Sequence, residues 1–184
     1  MAKKQTRSRA DRLTHPLLEK FAEVPVPPQG LFAYAVKIVC GKQTGENCCC
    51  VAGTRPGLYA TEVNMQNLSP LPAFAVKAVL PLINSGAVVA REPNVFDPPT
   101  LPKAVETVQL PGFGATMDDC CRIWELLLGG PPSGDTGLTI AILTILSLGE
   151  LSVSAVYTAS PLSGDGISID VEYIPGRRVG RGPG

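Results

Sequence analysis

Histidine is almost absent from this chain: of 184 residues, His15 alone carries an imidazole, and it sits beside Pro16 in the N-terminal segment. A Ser–His–Asp or Cys–His site would have to recruit that ring from outside the main body, so nucleophilic catalysis lacks its ordinary base. His15 reads instead as a polar residue in the first turn of a short helix. Aromatics are also scarce, with one Trp, four Tyr and five Phe. The basic ends contain none, which leaves no platform for stacking bases, and any nucleic-acid contact there would be nonspecific. No apolar run spans a bilayer: the most apolar stretch, Leu138–Leu148, is about half of the roughly 20 residues required. No apolar core of a signal peptide follows the basic N-terminus, and neither end carries a lipidation motif. The expected location is the cytoplasm, with unconventional export or surface assembly as other routes. The Gly-rich pieces Gly112–Gly114 and Gly129–Gly137 lack the Gly-Lys-Ser/Thr ending of a phosphate loop. Asp165, Asp170 and Glu172 lack a calcium-loop signature.

What is present points to strands and turns. Glycine and proline together make 37 residues, which suits many short strands joined by turns. The stretch Gly137–Ala159 reads as the centre of the fold, two strands joined at Gly149-Glu150 by a hairpin turn of the Gly-X type. Its first arm, Leu138–Leu148, is apolar almost throughout, as in a strand covered on both faces. The second arm alternates, with Leu151, Val153, Ala155, Tyr157 and Ala159 on one side and Ser152, Ser154 and Thr158 on the other. Leu31–Cys40, Leu58–Asn67, Ala73–Ile83, Ala104–Leu110 and Gly166–Ile174 complete seven expected strands. Pro81 confines its end of the third of these to a sheet edge or a bulge. Thr116–Leu128 reads as the one internal helix, opened by Thr116, with Asp118 and Asp119 suiting the positive end of its dipole and Gly129-Gly130 closing it. Trp124, Leu127 and Leu128 fall on its core face by spacing. The segment Asn84–Lys103, broken by prolines, reads as an irregular excursion with one apolar patch at Ala87–Ala90. The fold class expected is all-β: an antiparallel two-sheet β-sandwich with one inserted helix and an N-terminal amphipathic arm.

Charge divides the chain into three parts. Residues 1–12 hold five basic residues and one acidic residue, the last eight residues hold three arginines, and the body between them carries 8 basic and 15 acidic residues. Residues 1–29 form a basic arm: Leu13, Leu17, Leu18 and Phe21 share one face of a short helix, and Val24-Pro-Val-Pro-Pro28 is a stiff tether. Residues 30–175 form the sandwich domain, and 176–184 a basic Gly/Arg tail. Basic ends on an acidic body can bind the body of a neighbouring copy.

The run RPGLYATEVNMQNLSP (Arg55–Pro70), the apolar strand with a lysine that follows it, and the distal SVSAVYTA (Ser152–Ala159) and SIDVEYIP carry a resemblance. The chain resembles, over roughly residues 31–175, a family of uncharacterised bacterial β-sandwich proteins distantly similar to the soluble sensory-rhodopsin transducer. That resemblance implies an oligomeric sandwich without enzymatic machinery. It does not extend to Cys48-Cys49-Cys50, to the Asp118-Asp119-Cys120-Cys121 segment or to the basic ends.

Six cysteines are the remaining chemical feature: Cys40, Cys48, Cys49, Cys50, Cys120 and Cys121. No pair has the spacing of a zinc ribbon or a haem attachment site. Cys48 and Cys50 could point the same way in an extended loop, with Cys120 or Cys121 completing a thiol site. Adjacent helical residues diverge by about 100°, so Cys120 and Cys121 do not readily face one ligand. Disulfides and free buried thiols are the other readings, and six cysteines allow about 15 full connectivities. No metal and no cofactor are expected. Two functions follow from these residues. The first is a non-enzymatic structural protein that self-assembles into a homo-oligomer, filament or shell through arm exchange and sheet-edge contacts. The alternative is a ligand- or metal-binding module built on the Cys48–Cys50 loop with Cys120 or Cys121.

Overall fold

A computed structural model describes residues 30–44, 55–88, 105–128, 137–163 and 166–180. The arm residues Leu13, Leu17, Leu18 and Phe21, His15, and the Cys48–Cys50 loop lie outside that set. Among the described residues ten strands and one helix follow in order: β1 (Leu31–Gln43), β2 (Gly57–Gln66), β3 (Ala73–Asn84), β4 (Ala87–Val88), β5 (Val105–Leu110), β6 (Ala115–Asp118), α1 (Cys120–Leu128), β7 (Thr139–Ser147), β8 (Ser152–Ser160), β9 (Ser168–Tyr173) and β10 (Arg177–Val179). The mainly antiparallel β-structure with an internal helix is therefore as expected, and all seven expected strands are found to within a few residues.

The strands form one hydrogen-bonded path, β4-β3-β7-β1-β2-β8-β9, with β5 beside β3, β6 beside β2 and β10 beside β1. β1 is where the path bends. Phe32–Cys40 pairs with β7, and Gly41–Gln43 then pairs with Gly57–Tyr59 of β2. Gly41 makes this turn with φ at 100°, a conformation that a side chain would strain. The two limbs supply one core. Val36 and Ile38 of β1, Val79 of β3 and Leu143 and Ile145 of β7 share a cluster with Val63 and Met65 of β2 and Val153 and Ala155 of β8. Ile123, Leu126 and Leu127 of α1 join it. The period-2 pattern of β8 thus places Leu151, Val153 and Ala155 inside, as expected. Across the core, the Tyr34 hydroxyl donates to the Leu151 carbonyl at 3.0 Å and accepts from the Leu151 amide at 2.7 Å. A buried phenol there gives both backbone groups of Leu151 a partner, which a buried peptide requires.

Two expectations are corrected. Gly149-Glu150 does not close a hairpin: β7 lies between β1 and β3, β8 lies between β2 and β9, and the turn carries the chain from one limb to the other. The hydrophobic patterns explain why. Ala141, Leu143 and Ile145 of β7 face the shared core, and Ile140 and Leu146 on its opposite face are buried as well. A strand covered on both faces belongs in the interior of its limb, whereas β8 has a serine-lined outer face and belongs where that face is open. The second correction concerns the helix, which begins at Cys120 and not at Thr116. Ala115–Asp118 is instead strand β6, paired with Val63–Gln66 of β2. Satisfying the free edge of β2 outranks the local capping signal at Thr116. The cap is Asp119, whose carboxylate accepts the Arg122 amide at 2.9 Å.

The three strands that sequence patterning does not show, β4, β6 and β10, are two to four residues long. β4 turns back on β3 through Ser85 (φ 50°) and Gly86 (φ 82°), the left-handed pair of a type I′ turn. Pro81 lies next to a register shift in the β3–β7 pairing, the bulge it was expected to impose. Arg177–Val179, expected in the tail, pairs as β10 with Leu31–Ala33.

Candidate functional site

The densest polar constellation joins four elements. Lys77 of β3 holds Asp118 of β6 at 2.7 and 2.9 Å and Glu106 of β5 at 3.1 Å. Arg122 of α1 pairs with Glu106 and with Glu125. Lys77 and Asp118 are fully buried, so each depends on the other for its charge. Burial opposes ionisation of Glu106, but Lys77 and Arg122 outweigh it and hold that carboxyl below the usual range. The apolar strand with a lysine noted in the sequence is thus a strand whose lysine is an internal counter-ion. The network pins α1 and β6 against β3 and β5. Asp118, expected to complement the helix dipole, does this instead.

The cysteines are divided between inside and outside. Cys40 in β1 is bonded to Cys120 at the start of α1, with the two Cα atoms 5.7 Å apart. Cys120 Sγ also accepts the Thr61 amide at 3.3 Å. Cys121, one residue on, is an exposed free thiol. It lines a cleft of 220 Å³ with Glu62, Asp119, Val156 and Thr158. The divergence of neighbouring helical positions accounts for this split. Among the described residues no group of three or more His, Cys, Asp or Glu side chains is arranged to hold a metal.

The feature that sequence reading missed is the facing of β9. Its alternation of Ile169, Val171 and Tyr173 with Asp170 and Glu172 suggests one apolar face on a core. Its pairing with β8 shows where each row points, because residues directly opposite in an antiparallel pair project to the same side. Ile169 lies opposite Thr158, Val171 opposite Val156 and Tyr173 opposite Ser154, all on the outer face; Glu172 lies opposite the buried Ala155. The apolar row therefore faces away from the core. Ile167, Ile169, Val171 and Tyr173 are 69%, 64%, 64% and 61% exposed. β9 is also the last strand of the path, with no strand beyond it among the described residues. On the inner side, the Tyr157 hydroxyl donates to Glu172 at 3.2 Å. Burial, the charge and hydrogen bond of Glu172 and the charge of Asp170 together push the Tyr157 pKa up to about 12.

The outer face continues across β8, β2 and β6. Val156 stands beside Val171 and Glu62, and Met117 of β6, half exposed, stands opposite Asn64. Met117 falls within the helix expected over Thr116–Leu128; as part of β6 it is on the open face. A second exposed apolar group crowns the end of the fold, where Leu68, Leu71 and Phe113 project from two loops. Buried Asn67 ties those loops together by donating to the carbonyls of Leu71 at 2.7 Å and Pro111 at 3.0 Å.

Among the described residues no helix is long and apolar enough to cross a membrane. Compared with known protein families, characterised proteins and solved structures, the chain matches none.

Proposed function

We propose that the chain is a non-enzymatic structural protein, a two-sheet β-sandwich module that assembles with copies of itself through sheet-edge contacts and exchange of its N-terminal arm. The observation that carries this reading is the inside-out strand β9: a row of large apolar side chains held in water beside an unpaired sheet edge. Natural proteins ordinarily blunt such edges, because an open one is a template for another chain. Fully burying one such side chain returns about 1.5–3 kcal/mol, so covering four that are already one-third buried returns roughly 4–8 kcal/mol. That is enough to reward association and is lost to a lone subunit. The complementarity of basic ends and acidic body points the same way.

Light scattering during size-exclusion chromatography tests the reading. The full chain is expected to run as an oligomer, and Val171→Asp is expected to reduce its mass while leaving the β-sheet spectrum unchanged. A chain beginning at Gln29 separates the arm from the edge: if it keeps the full oligomeric mass, arm exchange is wrong and edge contacts alone remain. If the wild-type chain is monomeric throughout the accessible concentration range, the reading falls. The alternative, a ligand- or metal-binding module on the Cys48–Cys50 loop with Cys120 or Cys121, would draw on Cys121, because Cys120 is bonded to Cys40 while Cys121 is free beside a cleft. Elemental analysis near one zinc or iron per chain would favour it.

A further inference from the structure

β9 and β10 are edge strands of opposite charge on the same side of the fold. β9 carries Asp170 and Glu172, and β10 carries Arg177 and Arg178. Among the described residues each has one strand neighbour, β8 for β9 and β1 for β10, and so a free edge. Three residues carry the chain between them. Ile174 donates its amide to Val153 of β8, and at Arg177 the chain is already paired with Ala33 of β1. Between the two edges lies a cleft of 490 Å³ lined by Tyr34, Glu172, Ile174 and Arg177 among others. Among the described residues no ion pair engages Asp170, Glu172, Arg177 or Arg178. Arg178 lies over the Phe32 ring at 5.0 Å, and all four charged residues are exposed.

Resting on the assembly reading above, we propose that this side of the fold is a docking surface for a second copy of the chain, in which β9 of one copy pairs along its free edge with β10 of the other. Asp170 and Glu172 then lie on one face with the second copy's Arg178, and the apolar row lies on the other face with its Arg177 and Val179. Charge selects this pairing over β9 with itself. An antiparallel β9–β9 pair centred on Val171 would set Asp170 directly against the second copy's Glu172, twice, and like charges directly opposite are destabilising. Slipping that register by one residue would set the acids against the apolar row. β10 offers the edge without like charge: Arg178 is on the face of the acids, while Val179 and the aliphatic stem of Arg177, on the other face, are exposed to receive part of the apolar row. Each copy carries both the acidic and the basic strand, so the surface is self-complementary. A two-fold pair makes the contact twice, whereas a single contact per interface leaves the chain open to a ring or filament.

Charge exchange tests the proposal in the full chain. One variant carries Asp170→Lys and Glu172→Lys, the other Arg177→Glu and Arg178→Glu. All four positions are exposed, so both variants are expected to keep the wild-type spectrum and melting temperature. Each alone is expected to self-associate about 10-fold or more weakly than wild type at physiological salt, and an equimolar mixture of the two is expected to regain wild-type association. The neutral variant Asp170→Asn with Glu172→Gln, milder in its effect on folding, is expected to weaken association and remove most of its salt dependence. Sedimentation velocity reads all of these. If the charge variants associate like wild type, or the folded mixture fails to recover, the β9–β10 pairing is wrong. If Val171→Asp still dissociates the protein in that case, self-assembly stands and only its pairing is overturned.

Discussion

Replacing Lys77 by Met tests whether the charged network is a pin or a passenger. Lys77 is 3% exposed and Asp118 2%, with the ammonium 2.7 and 2.9 Å from the two carboxylate oxygens. Met fills most of the lysine volume, so packing changes little and the loss is electrostatic. Asp118 would be left as a buried carboxylate with no cation, a situation that costs about 3–5 kcal/mol. Glu106 keeps Arg122, so most of the penalty falls on Asp118. Against the roughly 5–15 kcal/mol by which domains are stable, that is a large fraction. With a urea slope of about 2 kcal/mol/M, the unfolding midpoint should drop by about 1.5–2.5 M. Trp124, partly buried against the core, is a convenient fluorescent reporter. The double variant Lys77→Met, Asp118→Leu removes both charges and should recover stability to within about 1 kcal/mol of wild type, because an apolar pair replaces a buried ion pair at little loss. A single substitution costing less than about 1 kcal/mol, or a double variant no better than the single, would refute this reasoning. Acid should act on the same network. The Glu106 carboxyl is held below its usual range despite burial, so the unfolded chain binds its proton more readily. Its contribution is therefore present above the ordinary carboxyl range and lost as the pH falls through the lowered value. Glu106→Gln should flatten that acid limb in urea midpoints measured across pH.

Two further outcomes are expected. Val153 is fully buried in the shared core, so Val153→Asp should cost several kcal/mol and abolish soluble expression, while Ser154→Asp on the outer face should leave the fold intact and, if copies cover that face, lower the oligomeric mass. Equal behaviour of the two variants would mean that the facing of β8 is wrong. The Cys40–Cys120 bond closes a loop across a sequence separation of 80, which constrains the unfolded chain by about 4.5 kcal/mol in a chain-entropy treatment, and reduction should lower the melting temperature accordingly. Alkylation of both thiols in native, unreduced protein would contradict that pairing.

Much of the strand content was legible because it rests on local pattern. The alternation in Leu58–Asn67 and Leu151–Ala159 determined both the strands and which of their side chains are inside, since period-2 polarity leaves one face to bury. The apolar run at Leu138–Leu148 likewise announced a strand covered on both faces, and Pro81 a sheet edge or a bulge, of which a register shift is present beside it. Other features belong to tertiary structure. Gly149-Glu150 has the chemistry of a hairpin, yet the strands it joins take other partners, because in-sheet neighbours are chosen by non-local pairing that no turn dipeptide encodes. Thr116–Asp118 has the composition of a helix start, yet it completes the edge of β2, whose unpaired backbone groups exist only once β2 is in place. Cys40 and Cys120 could be matched only by the bend of β1, and Lys77 found its counter-ions only when β5, β6 and α1 converged on β3. β9 is the sharpest case. Its alternating row determines that Ile169, Val171 and Tyr173 share a face, and nothing in the residues themselves says which way that face points. The register against β8 turned it outward, because β9 lies at the edge of its limb, above a cleft and beyond the reach of the shared core.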